Sequence, residues 1–334
     1  MQALSGKLTL VTGGAGFIGS NLVAALAERG TRVVVCDRLR DAEKWRNLRK
    51  CRPWELIAPE GLPAWLAAHG RQLDAIVHLG AISSTLERDA DRIIDVNLRL
   101  SVSLWEWCAA HGVRFVYASS AATYGAGEQG FEDDATPAAL ARLRPLNAYG
   151  WSKHLFDCRV AGSVAAGEPV PPQWVGLKFF NVYGPNEYHK ANMRSVVAQK
   201  FALAAAGEPV SLFKSYRSGV SDGAQQRDFV YVADCTEVML WLLERPDVSG
   251  IFNLGTGRAR SFEDLARALC LSLQRPSRVT YVDMPEALRS NYQYFTEAPM
   301  QRLRLAGYER PFVSLEDGVG DYVRRYLTQP DPYR

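Results

Sequence analysis

The feature that most restricts this chain is an apolar run at residues 7–12 that breaks into Gly13-Gly14-Ala15-Gly16-Phe17-Ile18-Gly19 and then into a helical pattern over residues 17–29. Glycines at 13, 16 and 19 let the main chain turn tightly and come close to a pyrophosphate, whose charge the helix N-terminus stabilises. A second apolar run, residues 32–36, ends at Asp37, where a carboxylate can accept a hydrogen bond from a ribose hydroxyl. Strand, glycine loop, helix and acid in this order predict dinucleotide binding. Gly13, Gly16, Phe17, Ile18 and Gly19 are the expected contacts at the pyrophosphate, and Asp37 at the adenosine ribose.

Further strands are predicted at residues 54–57, 74–78 and 114–118, with one long helix over residues 89–111. This βαβα order implies an α/β fold, a Rossmann-type doubly wound parallel sheet covered by helices on both faces. Ligands on such sheets sit at the carboxyl ends of the strands. Beyond about residue 185 the pattern loosens. Helices are predicted at residues 192–206, 234–244 and 262–273, around a polar stretch at 216–226, and residues 162–172 read as a surface loop. The expected division is a nucleotide-binding domain with the catalytic residues at 1–185. A smaller α/β substrate domain follows at 186–334, with the chain crossing back near 229–260.

Composition excludes several other classes. With 334 residues, 47% hydrophobic and 22% charged, the chain can bury a sizeable core. No apolar run approaches the ~18 residues of a membrane span. The first residues, Met1 to Lys7, show no signal-peptide pattern, so a cytoplasmic location with no membrane partner is expected. A net charge of +3 argues against nucleic acid as a partner. Six cysteines without C-x-x-C spacing read as reduced core residues, and scattered histidines give no metal site.

Asp37 alone favours NAD, but residues 38–52 carry seven basic side chains, of which Arg38 and Lys44 are best placed for a 2′-phosphate. NADP is therefore the preferred cofactor, with NAD as the alternative. Downstream, Ser119-Ser120 end the fifth strand, and Tyr149 and Lys153 stand four apart, which puts both on one helix face. A neighbouring ammonium favours tyrosinate and makes the phenol usable as an acid or base near neutral pH.

Tyr149-Gly150-Trp151-Ser152-Lys153, the glycine loop and the serine-rich strand end resemble the extended short-chain dehydrogenase/reductase superfamily. The likeness continues through His78-Leu79-Gly80-Ala81, Asn97, the segment from Phe180 to Pro185, Arg227-Asp228-Phe229 and Phe252-Asn253-Leu254-Gly255. The resemblance implies cofactor contacts from Leu79, Gly80, Ala81, Ser83, Asn97, Val182, Tyr149 and Lys153. It implies a nucleotide-diphosphate sugar as substrate, with Asn181 and Arg227 at the diphosphate.

Within the superfamily, Ser119-Ser120-Ala121-Ala122-Thr123-Tyr124-Gly125 lacks the Asp-Glu pair of sugar 4,6-dehydratases and is one residue shorter than the segment of UDP-galactose 4-epimerases. It is similar to the ADP-L-glycero-D-manno-heptose 6-epimerase family, as are Ile82-Ser83-Ser84-Thr85, Asn291-Tyr292-Gln293 and Ala306-Gly307-Tyr308. That family places a lysine after the Asn-Val-Tyr-Gly-Pro segment as a second catalytic base, here Lys190; spacing alone reads it as a surface lysine. The resemblance further implies an ADP-sugar substrate, a tightly held NADP recycled at each turnover, and a homo-oligomer. Substrate contacts are expected from Ser83, Asn192, Gln199, Phe213, Lys214, Ser215 and Tyr292. Asn192 and Gln199 replace the family's Ser and His, Lys214 replaces a Glu, and residues 133–144, 162–173 and 217–225 look like insertions. Two rival readings remain: another nucleotide-sugar epimerase or reductase on the same Tyr149/Lys153 pair, and a non-catalytic NADP-binding sensor or scaffold.

Overall fold

Leu8–Thr12 (β1) is buried at every position, as a strand covered on both faces must be. Strands β2 (Arg32–Cys36), β3 (Glu55–Ile57), β4 (Ala75–His78), β5 (Arg114–Ser120) and β6 (Trp174–Phe179) belong to the same sheet. The computed structural model describes residues 4–40, 43–85, 87–289 and 292–334. Three short strands follow β6: β7 (Asn181–Tyr183), β8 (Val210–Phe213) and β9 (Gln226–Tyr231). Then come β10 (Gly250–Leu254), β11 (Ala259–Ser261) and β12 (Val279–Val282). The main sheet has seven parallel strands in the order β10-β6-β5-β4-β1-β2-β3. Its outermost strand, β10, comes from the second half of the chain.

Two apolar layers cover the sheet. On one face the helices Phe17–Glu28 and Val232–Glu244 pack Leu22, Leu26, Val238 and Leu242 against Val11, Val35 and Val77. On the other, Trp105 and Phe156 stack edge-on around Phe115. The strand order reverses between β1 and β4, so the crevice that a doubly wound sheet offers a ligand opens there. A third cluster, around Val197, Leu212, Leu265 and Val319, supports the small sheets β11-β9-β7 and β12-β8 beside that crevice.

Three predicted elements differ from what forms. The helix expected over residues 89–111 is helical throughout but contains a π turn at Ile94–Arg99 that turns Asn97 fully into the core. Residues 162–165, assigned to a loop, are the last turn of the helix Ala148–Ala165, because Ala161 and Ser163 are buried there and packing outweighs the glycine. The helix expected from residue 192 starts at Val196, capped by the Ser195 hydroxyl; before it lies a separate tight turn, Tyr188–Met193, kinked at Ala191. No helix among the described residues is long and apolar enough to cross a membrane.

Candidate active site

At the end of β1, Gly13 has φ of +68° and touches the start of the segment after β4: a Cβ here would lie 2.6 Å from the Gly80 nitrogen. Gly16 is the extended residue before the helix Phe17–Glu28, whose first turn carries no acid and whose N-terminus has no side-chain cap. Those N–H groups are therefore free for an anion. Asp37 closes the loop from β2: one oxygen accepts from the Ala15 N–H at 2.9 Å, and the other from the Arg38 N–H and from Lys44 Nζ at 2.6 Å. The Arg38 guanidinium pairs with Glu60 at the surface. These residues fit a dinucleotide.

The segment after β4 is held from below. Leu79 N–H donates to the Thr12 carbonyl and Gly80 N–H to the Thr12 hydroxyl. That hydroxyl lies 2.6 Å from Nδ1 of His78, whose Nε2 lies 2.9 Å from Ser101 Oγ. Ser101 donates to the Asn97 carbonyl, so Nε2 carries the ring proton and Thr12 donates to Nδ1. Burial pushes His78 down to about 3, which keeps this ring neutral. The Asn97 amide takes both main-chain groups of Ile82 and donates to Ser152 Oγ, which in turn donates to the Tyr149 carbonyl. Asn97 thus positions the loop that carries half-buried Ala81 and exposed Ser83.

Tyr149 and Lys153 lie in the first turns of the helix Ala148–Ala165, which Asn147 caps by accepting from Gly150 N–H at 2.8 Å. Lys153 is 3% exposed, and burial pulls its pKa down to about 8 against the opposing charge of Asp157. Burial raises the Tyr149 phenol, and a hydrogen bond with Ser120 works the other way. The two serines expected at this site diverge. Ser120 is half-buried and faces Tyr149, whereas the Ser119 hydroxyl is buried and donates to Asp157 at 2.7 Å.

Half-buried Lys190 packs on the first residue of the helix that follows the glycine loop, its Nζ 5.5 Å from the centre of the Phe17 ring. Burial lowers its pKa, and Glu187 opposes that. Glu187, itself buried, anchors the turn by accepting from the Ser195 N–H and hydroxyl. Beside it, burial and the cations Lys44 and Lys190 push His189 down to about 4. Asn47 donates to the carbonyls of Ala15 and Asn186, and its Nδ2 lies 3.2 Å from His189 Nδ1. On β7, Asn181 is exposed and Val182 half-buried, next to this turn.

Arg227 is a buried guanidinium with no carboxylate partner among the described residues. It donates to the carbonyls of Gln226 and Gln293 and stacks on Tyr292, 5.0 Å from the ring centre, and on Phe262. A guanidinium left without an acid in so dry a place fits a phosphate. Phe213 and Ser215 are half-buried on the neighbouring segment, where Lys214 pairs with Asp283 at 3.0 Å. Asn192 and Gln199 are exposed, and Gln199 is turned to the carbonyls of Asn192 and Arg194. Asn291 lies outside the described residues, as do the first three of the chain. Next to Ser119 lies a buried polar cluster that no motif announced, Asp157 with Lys178 and Thr123; a lysine inside the apolar run Val175-Gly176-Leu177-Lys178-Phe179 was the available signal. Among the described residues, no group of three or more His, Cys, Asp or Glu side chains could hold a metal.

Comparison with known proteins agrees with this geometry. Residues 9–255 match the model of the NAD dependent epimerase/dehydratase family. An ADP-L-glycero-D-manno-heptose-6-epimerase of Nitratidesulfovibrio vulgaris is 49% identical over 97% of this chain and 99% of its own. The protein of that name from Fusobacterium nucleatum is 44% identical over 98% and 100%. The crystal structure of the Helicobacter pylori ADP-L-glycero-D-manno-heptose-6-epimerase superposes with a TM-score of 0.79 at 29% identity, covering 97% of each chain. The glycine loop, the Tyr149/Lys153 helix and this match over most of the length agree: the chain belongs to the NAD dependent epimerase/dehydratase family.

Proposed function

We propose that the protein interconverts ADP-D-glycero- and ADP-L-glycero-β-D-manno-heptose, a precursor of the lipopolysaccharide core, by transient oxidation at carbon 6 with NADP kept bound between turnovers. The substrate is that of the named relatives, similar over nearly their whole length. The preference for NADP rests on Lys44, whose Nζ lies against Asp37, and on Arg38, the next residue, whose guanidinium lies at the surface on Glu60. We place the enzyme in the cytoplasm, in keeping with its six unpaired cysteines.

A nicotinamide dinucleotide held with its pyrophosphate at the glycine loop would supply the hydride acceptor and donor. Everything else falls to this chain. Arg227, stacked on Tyr292, holds the substrate diphosphate, with Asn181 beside it. Ser120 Oγ donates a hydrogen bond to the carbon 6 oxygen, and Tyr149 Oη takes or returns its proton in one epimer. In the other epimer that oxygen points away, and Lys190 Nζ does the same work from the Phe17 side. Between the two half-reactions only the carbon 6–carbon 7 end turns, so the rest of the sugar keeps its contacts. Lys153 holds the nicotinamide ribose, and its charge keeps the phenol acidic enough to act.

The observation that carries this reading is a second lysine, half-buried Lys190, whose Nζ packs on the ring of Phe17 at the end of the glycine loop, in addition to the Tyr149/Lys153 pair. The test is Lys190→Ala with Tyr149 intact. A general base contributes about 100-fold or more, so epimerisation is expected to fall by that factor; a rate within a few fold of wild type would remove the two-base scheme.

A further inference from the structure

Beneath the Tyr149/Lys153 pair lies an ion pair that the reaction as described does not use. Asp157 and Lys178 are almost wholly buried, with 2.7 Å between Oδ2 and Nζ. Lys178 stands on β6 directly beside Ser119 on β5, and Asp157 is one helical turn beyond Lys153. The carboxylate also accepts from the hydroxyls of Tyr117 at 3.0 Å and Ser119 at 2.7 Å. Lys178 Nζ donates a second bond, to Thr123 Oγ1 at 2.7 Å, and the Thr123 hydroxyl donates to the Ser120 carbonyl at 2.8 Å. An unbroken chain thus runs from the Tyr149/Lys153 helix through Asp157, Lys178 and Thr123 to the main chain of Ser120. The helix also presses on the turn Ala121–Tyr124 so closely that a Cβ at Gly150 would lie 2.7 Å from the Ala122 oxygen.

We propose that Lys178 and Thr123 are positioning residues for the reaction: anchored on Asp157, they hold the Ser120 main chain so that its hydroxyl and the Tyr149 phenol meet at one substrate oxygen. A buried charge pair is a poor source of net stability, because desolvation offsets most of the attraction. Its place here follows from direction instead. Lys178 spends one hydrogen bond on the acid and another on the segment that carries Ser120, and Thr123, fully buried, has no other polar contact among the described residues. Ser119 and Ser120 alternate across the end of β5, so tying Ser119 down to Asp157 turns Ser120 up toward Tyr149. The inference rests on the reading of Tyr149 and Ser120 given above.

The test compares Thr123→Val with Thr123→Ser in the full-length protein carrying its bound cofactor. Valine keeps the shape and removes the hydroxyl; serine keeps the hydroxyl. Misplacing a reacting group by an ångström costs up to about 100-fold. The valine variant is therefore expected to lose at least about tenfold in kcat with KM for the nucleotide sugar and the retained cofactor unchanged, and the serine variant to stay near wild type. A valine variant within about twofold of wild type in kcat overturns the proposal. So does a loss that appears equally in KM and cofactor retention and that serine does not rescue, because that is the mark of a structural role alone. If the valine variant does not fold, Thr123→Ala against Thr123→Ser differs by the hydroxyl alone and decides the same question. Tyr149→Phe separates the layers: if it is inactive while Thr123→Val is normal, only this proposal fails, and if it is active the reading of the site fails.

Discussion

Replacing Lys153 with methionine is expected to stabilise the protein while stopping catalysis. Lys153 is almost fully enclosed, and its burial brings the pKa from the ordinary 10.5 to about 8. The unfolded chain therefore holds this proton up to about pH 10.5, whereas the folded chain releases it near pH 8. Between those values the unfolded state binds more protons, so stability rises with pH; below about pH 8 the full penalty of burying the ammonium stands. At 1.36 kcal/mol for each tenfold change in proton affinity, that penalty is about 3 kcal/mol at pH 7. Methionine has a similar length and no charge to desolvate. Urea unfolding of cofactor-stripped protein should show Lys153→Met more stable by about 3 kcal/mol at pH 7 and by only about 1 kcal/mol at pH 9.5. A variant no more stable than wild type at pH 7, or a gain independent of pH, would refute the argument that burial of a charge sets this lysine's proton affinity.

Other outcomes follow from the same site. Gly13→Ala forces a Cβ against the Gly80 nitrogen and carries about 1–2 kcal/mol of left-handed strain; purified variant should arrive without dinucleotide, seen as loss of bound-nucleotide absorbance. Arg227→Met keeps the stem on Tyr292 and removes the charge, so KM for the nucleotide sugar should rise about 10- to 100-fold with a smaller change in kcat. Arg38→Ala combined with Lys44→Ala should weaken NADP about tenfold or more and leave NAD binding little changed, measured by calorimetry on stripped protein.

The nucleotide half was legible because its signals are local. An apolar run ending in Gly13, or a strand ending at Asp37, carries its own boundary, and the Tyr149/Lys153 spacing places both groups on one face without knowledge of the rest. What stayed hidden depends on contacts between distant segments. A crossing back near residues 229–260 is expected, but which strand makes it and which neighbour it takes emerge only from the pairing of Gly250–Leu254 with Trp174–Phe179. Periodicity alone gave one helix over residues 89–111, since a π turn inserts its extra residue without breaking the apolar pattern. Ser119 and Ser120 are equivalent in sequence and are told apart only by Asp157, 38 residues away. The bonds by which the Asn97 amide holds Ile82 and Ser152 likewise join segments that are far apart in sequence. The turn at Lys190 is set by Glu187 and Ser195 closing around a kink at Ala191, which no local pattern announces.

An epimerisation at carbon 6 that returns its hydride at each turnover needs no added cofactor. The most direct measurement incubates the purified protein, with nothing added, with ADP-D-glycero-β-D-manno-heptose and follows the sugar by NMR. Appearance of the L-glycero epimer is the predicted result. No conversion, with or without added NADP or NAD, would contradict the assignment and move the Tyr149/Lys153 chemistry to a different nucleotide sugar.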